Sequence, residues 1–226
     1  MSISLKRLER KKLNLGMDKL GSAGIDVERW LAMVDADEQT MKELVAAWPK
    51  LLPSFTYDAV ALFGFGEPSK DPLPKPRPGE IVIRVGDWSL ADLLNCPLIV
   101  RKNLFWQQDW YHGYPWVGEK MRAGIYRVRM PIPDSNRKTA PEQEKLFLHG
   151  EDFVSVCLGA TTLAAHLHET GQDLLNGDWT RCKERSSGGV RAGLVVHEGR
   201  VYLGGRWDGL HHGYVWASSA REASES

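Results

Sequence analysis

The chain has 226 residues, enough for one domain of ordinary size or for a main domain with a small helical appendage, and we expect the second arrangement. Its 29 Lys and Arg residues balance 29 Asp and Glu residues, so no overall field gathers nucleic acid or an anionic membrane onto the protein. We find neither a secretory signal nor an apolar run of membrane-spanning length, and the three cysteines are widely spaced. These features predict a cytoplasmic protein with reduced thiols.

The first 66 residues divide into a basic arm and a helical module. Residues 1–24 are rich in Lys and Arg, and glycines prevent a long helix there, so they form a solvated arm or contact an acidic partner or nucleic acid. Apolar residues then recur at helical spacing from Val27 to Val34 and from Met41 to Trp48. This periodicity predicts two amphipathic helices, followed by a short third helix over 57–63, in a module that covers residues 25–66.

A proline-rich segment, residues 67–79, separates this module from the rest of the chain. It contains Pro68, Pro72, Pro74, Pro76 and Pro78. Proline lacks the backbone donor that helices and central strands need, so the segment is expected to run extended. We therefore predict a linker and a domain boundary here.

The region 80–217 is expected to form an α+β domain, because its strands and helices are grouped instead of alternating. Strands are predicted at 81–85 and 125–130, and helices at about 140–149 and 154–169. Four further segments, at 179–184, 190–197, 201–206 and 214–217, indicate a C-terminal antiparallel meander. The prediction is a mainly antiparallel sheet with two or three packed helices, followed by a disordered tail at 218–226.

An aromatic-rich stretch, residues 104–116, is the first candidate binding segment. Its candidate contact residues are Trp106, Trp110, Tyr111, Tyr114 and Trp116. Gly and Pro interrupt any periodicity, which predicts an irregular segment that covers the core or lines a groove for a ligand or partner. Stacking of single-stranded bases would need a basic channel beside it.

A turn before a predicted helix is the second candidate. Its residues are Ser135, Asn136, Arg137, Lys138 and Thr139. Thr139 and Glu142 match a capping box, so a helix is expected to begin here. Backbone amides and cations at such a helix start suit a phosphate or carboxylate, but a capped, solvated turn or a protein-docking loop fits the same residues.

Groups capable of catalysis are dispersed along the sequence. His166 and His168 point to opposite sides of a predicted helix, no set has metal-ligand spacing, and Cys157 and Cys182 fall in core elements where a thiol is inert. We therefore predict a non-enzymatic protein that binds a protein partner through residues 104–116, without cofactor or metal. The alternative is an enzyme acting on a phosphorylated substrate or nucleic acid, with Arg137 and Lys138 at the anion and a histidine such as His112 or His212 moving the proton.

Overall fold

The computed structural model describes residues 54–67, 71–106, 108–186, 189–206, 208–209 and 211–223. The predicted basic arm at 1–24 and the two predicted helices between Val27 and Trp48 lie outside these residues, as do the last three positions of the predicted tail. The compact unit that contains the described residues begins at Ser54.

Five α-helices and nine strands occur in the described residues. In chain order they are β1 (Phe55–Asp58), α1 (Ala59–Phe63), β2 (Ile81–Val85), α2 (Leu90–Leu94), α3 (Pro97–Lys102), β3 (Gly124–Arg129), α4 (Ala140–Glu144), β4 (Asp152–Phe153), α5 (Val156–Thr170), β5 (Trp179–Arg185), β6 (Arg191–His197), β7 (Arg200–Arg206), β8 (Val215–Ala217) and β9 (Ser219–Glu222). Two 3₁₀ turns, Asp109–Gly113 and Pro115–Val117, lie between α3 and β3. The predicted α+β class is confirmed.

The first sheet has five strands in the order β1-β2-β3-β9-β4. Strand β1 pairs with β2 in parallel, whereas β3 runs antiparallel to both β2 and β9. Residues 55–63 therefore belong to the sheet unit, which differs from their predicted place in a separate helical module. Residues 219–222 also differ from the prediction, because they form β9 inside the sheet and not a disordered tail. Residues 71–79 contain neither helix nor strand.

The second sheet has four strands in the order β7-β6-β5-β8. The predicted meander is confirmed for β5, β6 and β7, which pair antiparallel. Strand β8 instead pairs with β5 in parallel. Glu198 and Gly199 join β6 to β7 with φ angles of +48° and +70°, the left-handed conformation that a tight two-residue hairpin requires.

Helix α5 lies in the core and contacts strands of both sheets. It begins at Ser155, whose side chain accepts a hydrogen bond from the Leu158 amide, and ends at Gly171 in the left-handed conformation. Twelve of its fifteen residues are buried, as expected of a helix that is covered on almost every side.

Two short segments differ from the sequence-based elements. The helix predicted over 140–149 ends at Glu144, and Pro97–Lys102 form α3, which the sequence-based elements do not include. The predicted capping box is present, since the Glu142 carboxylate accepts hydrogen bonds from the Thr139 amide and hydroxyl at 2.7 and 2.8 Å. Within the described ranges, no helix is both long and apolar enough to cross a membrane.

Candidate partner-binding surface

The aromatic stretch is anchored to the edge of the second sheet. The Trp106 amide donates to the Val201 carbonyl at 3.0 Å, and the Val201 amide donates to the Leu104 carbonyl at 2.8 Å. Residues 104–106 thus lie beside β7 and pair with it through one short parallel bridge. The chain then leaves the sheet through the two 3₁₀ turns, which position the remaining aromatic residues.

Tyr111 is a buried anchor and not a surface contact. Its side chain is 1% exposed, and its hydroxyl accepts a hydrogen bond from the Leu203 amide at 3.2 Å. Burial raises the pKa of its phenol to about 12, so the hydroxyl stays protonated at physiological pH. Of the predicted contact residues, this one holds the segment against β7.

Three other predicted residues, Trp110, Tyr114 and Trp116, form a continuous aromatic wall. Trp110 is 41% exposed and meets Tyr114 edge to face, with ring centroids 5.9 Å apart. Tyr114 and Trp116 are half-buried and stack almost in parallel at 5.0 Å. The Trp116 indole N–H donates to the Arg185 carbonyl at 3.1 Å, which fixes the far end of the wall.

The aromatic wall encloses a first cleft of about 230 Å³ against the second sheet. The rest of its lining is Ser186, Val190, Ala192, Leu203, Gly204 and Gly205. Among the described residues no charged side chain lines this cleft. It is therefore suited to an uncharged, largely apolar group.

Trp106 contributes to a different, second cleft of about 430 Å³. The other residues that line it are Gln108, Gly177, Trp179, Val195, His197, Glu198 and Tyr202. The Arg200 guanidinium lies 3.3 Å from the centre of the Trp106 ring, a cation–π contact. The predicted aromatic set is thus divided between two clefts and the core.

Within the predicted turn, Ser135 is part of the fold. It is fully buried, its hydroxyl donates to the Ile132 carbonyl at 2.6 Å, and the same oxygen accepts from the Ala217 amide at 2.9 Å. The Asn136 side chain donates to the Gly213 carbonyl at 3.0 Å. These polar groups hold the turn against β8 and the segment before it.

The backbone amides around the start of α4 are also engaged. The Arg137 amide donates to the His212 carbonyl at 3.0 Å, the Thr139 amide to Glu142, and the Ala140 amide to the Asp208 carbonyl at 2.9 Å. Hydrogen bonds from Thr139 lower the pKa of the Glu142 carboxyl, so a negative charge already sits at this helix end. These three amides are therefore not free to bind a phosphate, and α4 has only five residues. Arg137 is exposed, whereas Lys138 is half-buried.

The two histidines named for the enzyme alternative, His112 and His212, contact different groups in the part of the chain that the structure describes. No three His, Cys, Asp or Glu side chains there are placed to hold a metal ion. His112 lies on the aromatic stretch beside Pro115, while His212 stacks on Tyr214 next to the turn. Cys157 is buried, and burial raises the pKa of its thiol to about 12, so it remains protonated and unreactive.

Comparison with protein-family models, with curated proteins and with solved structures finds no match to this chain.

Two residues of the first cleft, Gly204 and Gly205, could be anticipated only in part from the sequence. A glycine pair inside a strand signals a close approach of another group. Here that group is Trp179, because a Cβ placed on Gly204 would lie 2.6 Å from its indole ring. The sequence shows the requirement for small residues but not the distant side chain that imposes it.

Replacing Gly204 by Ala is expected to destabilise the protein by about 1–3 kcal/mol, since the Trp179 ring must move to make room. Gly209→Ala is the matched control, because nothing lies within 4 Å of a Cβ at that position. Urea denaturation of both variants measures the effect. Equal stability of the two variants would show that the Trp179 contact is not tight.

Proposed function

We propose that this chain is a non-enzymatic binding module that recognises a protein partner through the aromatic wall. The observation that carries the proposal is the exposure of Trp110, at 41%, beside two half-buried rings and an open cleft. Exposed aromatic clusters of this kind mark interaction sites, and Trp and Tyr dominate the binding energy of protein interfaces.

The size and polarity of the first cleft favour a protein partner over a small molecule. Ligand pockets typically enclose about 300–1,000 Å³. The first cleft, at about 230 Å³, is smaller, and its lining among the described residues is uncharged. It is suited to one apolar side chain of a partner, with the exposed edge of Trp110 in contact with the surrounding surface.

The wall is also held in place before any partner binds. Trp116 is fixed by its hydrogen bond to the Arg185 carbonyl, and Tyr111 is fixed by the Leu203 amide beneath Trp110. Rings that are already ordered lose little conformational entropy on binding. The arrangement therefore supports binding through a preformed surface.

Affinity capture from lysate with the parent chain and a Trp110→Ala variant tests the proposal. We expect the affinity for the recovered partner to fall about 30-fold or more, because a central aromatic contact contributes 2 kcal/mol or more. Leu148→Ala is the matched control, since Leu148 is equally exposed, at 46%, but lies outside the cleft. A partner that binds the parent and the Trp110→Ala variant equally would contradict the proposal.

A further inference from the structure

A second surface, separate from the aromatic wall, lies on the outer face of the β5–β7 sheet. Strand register places Val195 opposite Tyr202 and His197 opposite Arg200. Side chains alternate between the faces of a strand, so these residues share one face with Arg206, while Leu194 and Leu203 are buried on the other. We call the set Trp106, Trp179, Val195, His197, Arg200, Tyr202 and Arg206 the outer face.

We propose that the outer face binds single-stranded nucleic acid, with bases in the second cleft between Trp106 and Trp179 and phosphates on Arg200 and Arg206. Proteins that hold single strands combine aromatic rings with a basic groove that follows the backbone. Because the net charge of the chain is balanced, nucleic acid could bind only through a local basic patch. The structure assigns such a patch to the outer face.

The aromatic part of the outer face is built around the Trp179 ring. The Trp179 ring lies over Gly193 and Gly204, where Cβ atoms would be 3.4 and 2.6 Å from it, and meets Tyr202 edge to face at 5.8 Å. The Arg206 guanidinium lies 3.2 Å from the centre of the Trp179 ring. Because a guanidinium is planar, its outer surface offers a further stacking plane for a base.

The basic part of the outer face consists of Arg200 and Arg206, whose charges are only weakly neutralised by carboxylates. Within the described residues no carboxylate forms an ion pair with Arg206, and its buried Nε has no hydrogen-bond partner. Arg200 pairs with Glu198 at 3.5 Å, but that glutamate is 65% exposed, so the pair contributes little. The two arginines stand six residues apart on β7, roughly 20 Å, a length that several nucleotides span.

The geometry favours a single strand over a duplex or an acidic peptide. Bases of a duplex are stacked on each other and are not available to rings in a cleft. An acidic peptide offers charge to Arg200 and Arg206 but no planar group to occupy about 430 Å³ between two indole rings. Only a strand with unstacked bases uses both the charges and the rings.

Fluorescence anisotropy with a short labelled mixed-sequence single strand, as RNA and as DNA, tests the proposal. Two phosphate contacts predict a slope of log affinity against log salt near −1.4, at about −0.7 for each contact. We expect Arg200→Gln and Arg206→Gln each to reduce the slope by about 0.7 and to weaken binding. Arg122→Gln, an exposed arginine paired with Glu222 beside the first sheet, is the charge-matched control and should leave the slope unchanged.

The outcomes that overturn the proposal are no binding at low salt, an unchanged slope in both arginine variants, or equal affinity for the same sequence as a duplex. Competition by polyglutamate as strong as by unlabelled strand would indicate an acidic peptide site instead. Arg206→Gln removes a side chain that stacks on Trp179, so the folding of this variant is checked by its melting temperature. If Arg206→Gln unfolds, Arg200→Gln alone still decides the test. Trp110→Ala should leave this binding intact, which separates it from the proposed protein-binding function.

Discussion

Replacing Glu80 by Gln is expected to lower the free energy of unfolding by about 3 kcal/mol. Glu80 is 4% exposed and pairs with Arg127 at 2.7 Å and with Arg221 at 3.3 Å. It also accepts a hydrogen bond from the Arg77 amide, which ties the proline-rich segment to the first sheet. Removing the carboxylate leaves two guanidiniums without their shared anion.

The control for this prediction is Glu222→Gln. Glu222 pairs with Arg122 at 3.2 Å, but both side chains are largely exposed, so the loss should be at most about 1 kcal/mol. Urea denaturation at neutral pH measures both variants. Equal losses in the two variants would mean that burial of Glu80 does not strengthen its ion pairs.

Glu80 also gives a defined pH dependence. Burial raises the pKa of its carboxyl, but hydrogen bonds from the Arg77 amide and Arg127, together with the charges of Arg127 and Arg221, outweigh burial and hold the pKa below its ordinary value. A depressed pKa in the folded state stabilises the protein above the pKa of the unfolded chain. This contribution is lost as the pH falls through the folded-state pKa.

Acidification is expected to destabilise the protein through His166, by up to about 3 kcal/mol between pH 6.5 and 4. Burial lowers the pKa of its imidazole to about 4, and its Nδ1 lies 2.7 Å from the Tyr57 hydroxyl in the core. The unfolded chain takes up a proton near pH 6.5, whereas the folded chain remains neutral. The free energy of unfolding is therefore not reduced by His166 above pH 6.5, and it decreases as the pH falls from 6.5 toward 4.

The test is the difference in unfolding free energy between neutral and acidic pH for the parent, for His166→Gln and for His149→Gln. His166→Gln removes the titrating group and should flatten the curve in this window. His149 is exposed and provides the control. The His149→Gln variant should lose as much unfolding free energy at acidic pH as the parent does. An identical pH dependence in all three proteins would contradict the assignment to His166.

Features set by neighbouring residues could be predicted from the sequence. The capping box at Thr139 and Glu142 and the hairpin turn at Glu198 and Gly199 depend on contacts within a few positions, so local chemistry determines them. The parallel pairing of β1 with β2 and of β8 with β5 depends on distant strands. Nothing in the local pattern of residues 55–58 or 215–217 indicates these partners.

The candidate site, too, could be predicted from the sequence only in part. Composition identified the aromatic stretch, but the sequence does not distinguish Tyr111, which is buried, from its neighbour Trp110, which is exposed. That difference arises from the Leu203 amide, which binds Tyr111 from a strand far along the chain. The pairing of Arg206 with Trp179 across the glycines of the second sheet is equally non-local.

The most direct test of the proposed function is hydroxyl-radical footprinting, read by mass spectrometry, of the chain alone and in complex with its captured partner. We expect oxidation of Trp110 to fall strongly in the complex, while Tyr214, which is 47% exposed and outside the first cleft, keeps its reactivity. Unchanged oxidation of Trp110 in a stable complex would place the partner on another surface and would contradict the account.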